Sequence, residues 1–280
     1  VTTLRDALAE GVRRLLEAGI AGAPRDARAL LAAASHIAPD RIFLEGDMVL
    51  SDPNLFDEMI ARRVKGEPVA KIIGERLFWG RSFTITRDTL DPRPETETLI
   101  AAALETGPVE RFVDLGTGSG IIAVTLLAEW PETHAVATDV SPEAIAVAQE
   151  NASRHGVLDR LRFVQLSSQD CWFPESLAPC DLILSNPPYI SEDEMAELSR
   201  EVLEHDPHIA LSPGGDGMDP YRKIASSAWS YLRPDGRVLV EIGWQQGDAV
   251  TEIFQKAGFR TVSCLPDMDG RDRVIVAEGA

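Results

Sequence analysis

With 280 residues, 44% hydrophobic and 26% charged, the chain carries enough apolar material for the core of one or two ordinary globular domains. No apolar stretch approaches the length of a membrane-spanning helix, and Arg5, Asp6, Glu10, Arg13, Arg14 and Glu17 interrupt the first twenty residues, so neither membrane insertion nor a secretory leader is expected. The net charge of −18 lies wholly beyond residue 88, a field that repels nucleic-acid phosphates, while Cys171, Cys180 and Cys264 form no CxxC pair and fit a reducing cytoplasm better than disulfides or zinc.

Leu4, Ala7, Leu8, Val12, Leu15 and Leu16 recur at helical spacing. Pro24 opens a second helix with Ala27, Leu30 and Leu31 on one face. Ser51-Asp-Pro starts a third, carrying Leu55, Phe56, Met59, Ile60 and Val64, and Gly66-Glu-Pro68 breaks the pattern. Residues 1–68 therefore read as a small helical domain. Two β-rich stretches, 69–73 and 82–86, flank a glycine-containing middle and predict a β-hairpin linker over 69–90. Beyond it, strands are expected at 111–115, 134–139, 161–166, 180–185, 236–242, 258–264 and 272–277, and helices at 119–129, 142–155, 219–232 and 246–257. Strands alternating with helices of this length imply an α/β domain over 91–280, built on a doubly wound, mostly parallel seven-stranded sheet.

Asp114-Leu-Gly-Thr-Gly-Ser-Gly120 leaves the first of these strands and opens a helix. Gly116, Thr117, Gly118, Ser119 and Gly120 offer a ligand close backbone approach and the unpaired N–H groups of a helix start. The next strand ends in Asp139, placed to accept ribose hydroxyls. The third glycine comes one residue early for a dinucleotide fingerprint, and the Lys-Ser/Thr of a P-loop is missing. The string resembles motif I of the class I S-adenosylmethionine (SAM) methyltransferases.

The apolar strand 180–185 runs into Asn186-Pro-Pro-Tyr189. In an open α/β sheet, ligands bind beyond the carboxyl ends of the strands. Pro187 and Pro188 remove two backbone donors and leave carbonyl acceptors, and Asn186, preceding proline, is held extended. The Asn186 side-chain oxygen and the Pro187 carbonyl can converge on one –NH2 group, with Tyr189 supplying a flat face. Such a clamp suits an amide or aromatic amine nitrogen, whose lone pair is delocalised (in an amide this is reflected in a C–N rotation barrier of about 18–20 kcal/mol), and so points to the reaction type and not to one substrate. Near-attack positioning is worth roughly 7–11 kcal/mol in favourable systems.

Three further features accompany these two. Asp91-Pro-Arg-Pro-Glu-Thr-Glu97 precedes the glycine loop, Glu204-His-Asp-Pro-His208 and Gly214-Gly-Asp-Gly-Met218 follow the Asn-Pro turn, and a helical domain stands in front. The whole layout resembles the bacterial protein-(glutamine-N5) methyltransferases that modify peptide chain release factors. That resemblance implies the class I SAM-methyltransferase (Rossmann-like) fold and a helical domain that docks the protein substrate. SAM would be held by Gly116 to Gly120 and Asp139, with S-adenosylhomocysteine as product. Asn186, Pro187, Pro188 and Tyr189 would clamp the glutamine of a Gly-Gly-Gln motif, and Asn186 would also border the cofactor. An aromatic residue beside the adenine matches Trp172, or Cys171 if the alignment shifts by one. Asp91 departs from the family, which has an aliphatic residue there; an effect on loop packing is expected. Arg93, Glu95 and Glu97 either order the cofactor loop or serve as helix-start charges. His205 and His208, separated by Pro207, make no metal pair. The alternatives in substrate are a ribosomal-protein glutamine or, against the acidic charge, an adenine N6 or guanine N2 of nucleic acid.

Overall fold

The computed structural model describes residues 2–279. The chain forms two compact units: one contains the chain up to Glu75 together with Ser199–His205, the other Arg76–Leu198 with the chain from Asp206 onward.

In the smaller unit, α1 (Leu4–Glu17) starts at Thr3, whose hydroxyl accepts the Asp6 N–H at 3.2 Å. Next come α2 (Ala23–Ser35) and α3 (Pro53–Val64), the latter capped by the Asp52 carboxylate on the Leu55 N–H at 3.0 Å. Leu4, Leu15, Leu30, Leu31, Phe56 and Ile60 make the core. A Cβ on Gly11 would lie 2.8 Å from the Phe56 ring, so α1 and α3 meet across that glycine.

The stretch 69–73 is not the first strand of a hairpin but a short helix, α4 (Val69–Ile73). Pro68 leads into it, and Gly74, with φ of 81°, stops it by donating its N–H to the Ala70 carbonyl. Ala70 and Ile72 are buried, and Val69 and Ile73 pack on the helical core. Burial against three helices outweighs the modest β preference of Val and Ile. The hairpin itself is β1 (Glu75–Phe78) and β2 (Arg81–Thr84). Trp79 and Gly80, with φ of 48° and 69°, form the two-residue turn of positive φ that matches strand twist.

The larger unit continues with α5 (Thr96–Glu105), β3 (Arg111–Leu115), α6 (Ile121–Glu129), β4 (His134–Asp139), α7 (Pro142–Arg154), β5 (Leu161–Gln165) and β6 (Cys180–Ser185). Three short helices follow: α8 (Glu192–Met195), α9 (Arg200–His205, within the smaller unit) and α10 (His208–Leu211). The chain closes with α11 (Asp219–Ser227), β7 (Leu232–Glu241), α12 (Gly247–Lys256), β8 (Thr261–Pro266) and β9 (Asp272–Glu278). The sheet order is β5-β4-β3-β6-β7-β9-β8, and β9 alone runs antiparallel to its neighbours. Phe112, Leu182, Leu184 and Leu239 point to one face with α5 and α6. Val113, Ile183, Val238 and Val240 point to the other with α11 and α12. Leu115 pairs with Ser185, so the glycine loop and the Asn-Pro turn leave adjacent strands at the same level.

Candidate active site

Asp114, the last but one residue of β3, is fully buried. Its Oδ2 accepts the Thr117 hydroxyl at 2.7 Å and the Ala123 N–H at 3.3 Å, which ties the glycine loop to the first turn of α6. Its Oδ1 is buried with no hydrogen-bond partner among the described residues. Burial pushes this carboxyl up to about 7. Asp139, ending β4, accepts the Gly118 N–H at 2.9 Å on Oδ2 and the Ser141 N–H at 3.0 Å on Oδ1. Burial raises its pKa, and these backbone donors oppose the rise.

The loop glycines differ in what they serve. Gly118 has φ of 55°, and a Cβ there would meet no atom within 4 Å, so its bare backbone faces open space. Gly120 has φ of 80°, and its Cβ would press on Ala148 of α7 at 3.0 Å. Its smallness lets two helices approach.

Gly116, Thr117, Gly118 and Ser119 line a cavity at the carboxyl ends of the strands, but Gly120 does not. Asp139, Trp172 and the neighbouring Cys171 also line it, so both candidates for the aromatic position border the same space. A Cβ on Gly116 would lie 3.8 Å from the Trp172 ring. Asn186 and Pro188 face this cavity; Pro187 is buried beneath them. Tyr189 instead lines a second recess with Trp244 and Gln246, and burial pushes its hydroxyl well above the usual phenol range.

The Asn186 amide is held from behind. Its Nδ2 donates to the Thr96 hydroxyl at 3.3 Å, and both side chains face the carboxylate of Glu241, the last residue of β7, whose charged form they favour. Its Oδ1 carries no hydrogen bond among the described residues. The next turn of backbone is clasped as well. Gln246 Nε2 donates to the Tyr189 carbonyl at 2.8 Å, the Ile190 N–H reaches the Leu211 carbonyl at 3.0 Å, and a Cβ on Gly217 would overlap the Tyr189 carbonyl. Packing against the Asn-Pro turn leaves no room for a side chain at Gly217.

Arg93 bonds Asp206 at 2.8 Å, and the same carboxylate accepts the Asp91 N–H at 3.2 Å. The 91–97 segment is thus clasped onto Asp206. Asp91 also sits 3.6 Å from Arg76, so its departure from an aliphatic residue is absorbed by an ion pair. Glu97 accepts the Trp79 N–H at 3.2 Å and secures the hairpin turn. Asn151 of α7 is buried and satisfied on both sides. It accepts from the Thr84 N–H at 2.7 Å and donates to the carbonyls of Thr84 at 3.0 Å and Ser119 at 2.8 Å, joining hairpin to glycine loop.

Sequence reasoning passes over Thr96 as a site residue, and over Asn151, Glu241 and Gln246. Glu241 alone carries a local signal: an acid closing an apolar strand at the end of the sheet where ligands bind. Thr96 and Asn151 are ordinary polar residues on helices, and Gln246 is one just before α12.

Strand order, reversed β9 and the paired loops at the strand ends define a SAM-dependent methyltransferase of class I. Two solved structures share this fold. A methyltransferase from Pyrococcus furiosus has a TM-score of 0.55 at 18% identity, covering 80% of this chain and all of the other. The hMettl16 catalytic domain, solved with MAT2A 3′UTR hairpin 1, has a TM-score of 0.60 at 16% identity, covering 84% of each chain. Residues 86–218 match the Methyltransferase small domain and residues 6–74 the PrmC N-terminal domain. The chain is 55% identical to the release factor glutamine methyltransferase of Cereibacter sphaeroides, across 97% of both chains. It is 46% identical to that of Nitratidesulfovibrio vulgaris, over 86% of this chain and 81% of the relative. The chain belongs to the release factor glutamine methyltransferase family.

Proposed function

We propose that this enzyme transfers the methyl group of SAM to the side-chain amide nitrogen, N5, of the glutamine in the Gly-Gly-Gln motif of peptide chain release factors, in the cytoplasm. The observation that carries the proposal is the orientation of Asn186. With Nδ2 donated to Thr96 on the side of Glu241, its Oδ1 is left as an acceptor beside the cavity that the glycine loop lines.

The cavity fits SAM by its chemistry. Gly118 leaves room against bare backbone, the acid Asp139 suits a ribose, and Trp172 with Leu166 offers apolar walls for adenine. The bound cofactor supplies an electrophilic methyl carbon on a sulfonium. The protein's part is placement. Asn186 Oδ1 and the Pro187 carbonyl take the two N–H bonds of the glutamine amide and turn its nitrogen toward the methyl carbon. Pro188 bounds the side chain, and Tyr189, turned to the second recess, anchors the turn through its carbonyl and Gln246. As the C–N bond forms, the nitrogen becomes acidic and sheds one proton, so neither acceptor has to be a strong base. S-adenosylhomocysteine is the second product, and no metal enters the scheme.

The helical unit is assigned the docking of the release factor. It presents Phe43, Leu44, Met48 and Val49 to solvent, an apolar set that suits a protein partner. The acidity of residues 89–280 speaks against a nucleic-acid substrate.

The test is transfer of a radiolabelled methyl group to three acceptors: release factor, the same protein with Gln→Ala in Gly-Gly-Gln, and bulk RNA or DNA. Label on the first alone is expected. Label on nucleic acid, or equal label on the Ala variant, overturns the assignment.

A further inference from the structure

Glu241 is 1% exposed, and its Oε2 lies buried with no hydrogen-bond partner among the described residues. A carboxylate kept in that state costs stability. Its place in the sheet shows what it serves. β6 and β7 are parallel with Ser185 opposite Val240, so Asn186 and Glu241 are the next residues of adjacent strands. Thr96, 2% exposed at the start of α5, accepts a hydrogen bond from Asn186 Nδ2 at 3.3 Å, and the two side chains together face the Glu241 carboxylate.

The polarity of this cluster is set from one corner. A carboxylate only accepts, so it favours donors turned toward it, and the Thr96 hydroxyl oxygen already accepts from Asn186. Asn186 then has two acceptors behind it and must turn its –NH2 to them. Rotating that amide by half a turn would set Oδ1 against the Glu241 carboxylate and the Thr96 lone pair.

We propose that Glu241, with Thr96, is a positioning residue that compels Asn186 to offer its carbonyl oxygen, and not its –NH2, to the substrate amide. The inference rests on the reading that Asn186 receives the glutamine –NH2. Asn is otherwise ambiguous, since its two ends are nearly the same shape and only the acceptor end can bind an N–H.

Burial pushes the Glu241 carboxyl up to about 7, with Glu95 adding to the rise and Arg273 of β9 opposing it. Tyr189 and Tyr221 also face it, and the Tyr221 hydroxyl donates to the Glu241 carbonyl at 2.9 Å. Both tyrosines stay neutral in this range because burial lifts their pKa values. Protonated Glu241 can donate, and the constraint on Asn186 relaxes. Activity therefore rises as pH passes through the Glu241 titration.

The test combines Glu241→Gln with a polarity swap. Gln can accept or donate, so E241Q should lower kcat about tenfold. The KM for release factor and the Kd for SAM should stay within about twofold, the melting temperature should be unchanged or higher, and the pH limb near 7 should disappear. N186D sets two acids together and should be nearly inactive. Adding E241Q to it restores a donor-to-acceptor match and should raise kcat at least about fivefold, opposite in sign to the effect on the parent. An E241Q enzyme within about twofold of the parent kcat, or E241Q harming N186D as it harms the parent, overturns the proposal. Thr96→Val substitutes for E241Q should the latter not fold. Should the parent methylate no release factor, the functional reading fails first. The Asn186 side-chain amide signals in a nitrogen-15 spectrum then decide independently: they should shift with pH near 7 in the parent and not in E241Q, and a flat response in both refutes the coupling.

Discussion

Replacing Gly120 and Gly118 separately by alanine should divide the glycine loop into a packing glycine and a ligand-facing one. At Gly120 an alanine must hold φ near 80°, which costs about 1–2 kcal/mol for a residue with a Cβ. Its methyl also meets Ala148 Cβ at 3.0 Å and Ala148 Cα at 3.2 Å. That crowding against backbone adds about 1–3 kcal/mol. Gly120→Ala is thus expected to lose about 2–5 kcal/mol of stability. Gly118→Ala carries a similar strain at φ of 55° without a clash, partly offset by about 0.4–1 kcal/mol from the stiffer unfolded chain. It should lose about 1 kcal/mol or less. Binding reverses the ranking, because the methyl at 118 projects into the cavity, and the Kd for SAM should rise about tenfold or more. Urea unfolding followed by tryptophan fluorescence measures the first quantity without interference. All five tryptophans, Trp79, Trp130, Trp172, Trp229 and Trp244, lie in the larger unit. Isothermal titration with SAM measures the second. A Gly118→Ala protein as unstable as Gly120→Ala, or a Gly120→Ala loss below about 1 kcal/mol, would refute the division.

Other perturbations follow from the same contacts. Asn151→Leu strands the Thr84 N–H and the Ser119 carbonyl, each at about 1–3 kcal/mol, and should lower stability by about 2–5 kcal/mol in the same urea assay. In the smaller unit Arg63 and Asp26 form a buried pair at 2.8 Å, with side chains 9% and 4% exposed. Arg63→Met leaves buried Asp26 only the longer 3.4 Å contact with exposed Arg25 and should cost up to about 3–5 kcal/mol, visible in far-ultraviolet circular dichroism melts. Asp114 and Glu241 both have carboxyl groups raised to about 7 in the fold. A raised acid binds its proton more tightly when folded. Its stabilising contribution is full below the unfolded pKa of about 4 and is lost as pH climbs through 7. The cofactor-free protein should therefore weaken between about pH 4 and pH 7. Glu241→Gln should flatten that slope and gain at most about 3 kcal/mol at pH 8; equal slopes in the two proteins would contradict the burial argument.

Much of this enzyme is written in short-range chemistry, and that part is legible in the sequence alone. Gly116 to Ser119, Asp139, Asn186 and Pro188 meet at one cavity through backbone geometry and strand ends that a few adjacent residues determine, whereas Gly120 packs on Ala148 and Tyr189 lines another recess. Apolar periodicity likewise places the helices of the smaller unit and the alternating elements of the larger one. The stretch 69–73 shows the limit, since Val and Ile favour strands only weakly and three packed helices overrule them. Tertiary structure decided how the site is held rigid. Thr96 and Asn186 are 90 positions apart, Arg93 and Asp206 are 113 apart, and Asn151 reaches Thr84 across 67. Nothing local distinguishes these residues from ordinary polar ones. A hydrogen-bonded partnership exists only once the sheet order has brought two strand ends or a helix start together, and that order is set by burial summed over the whole chain.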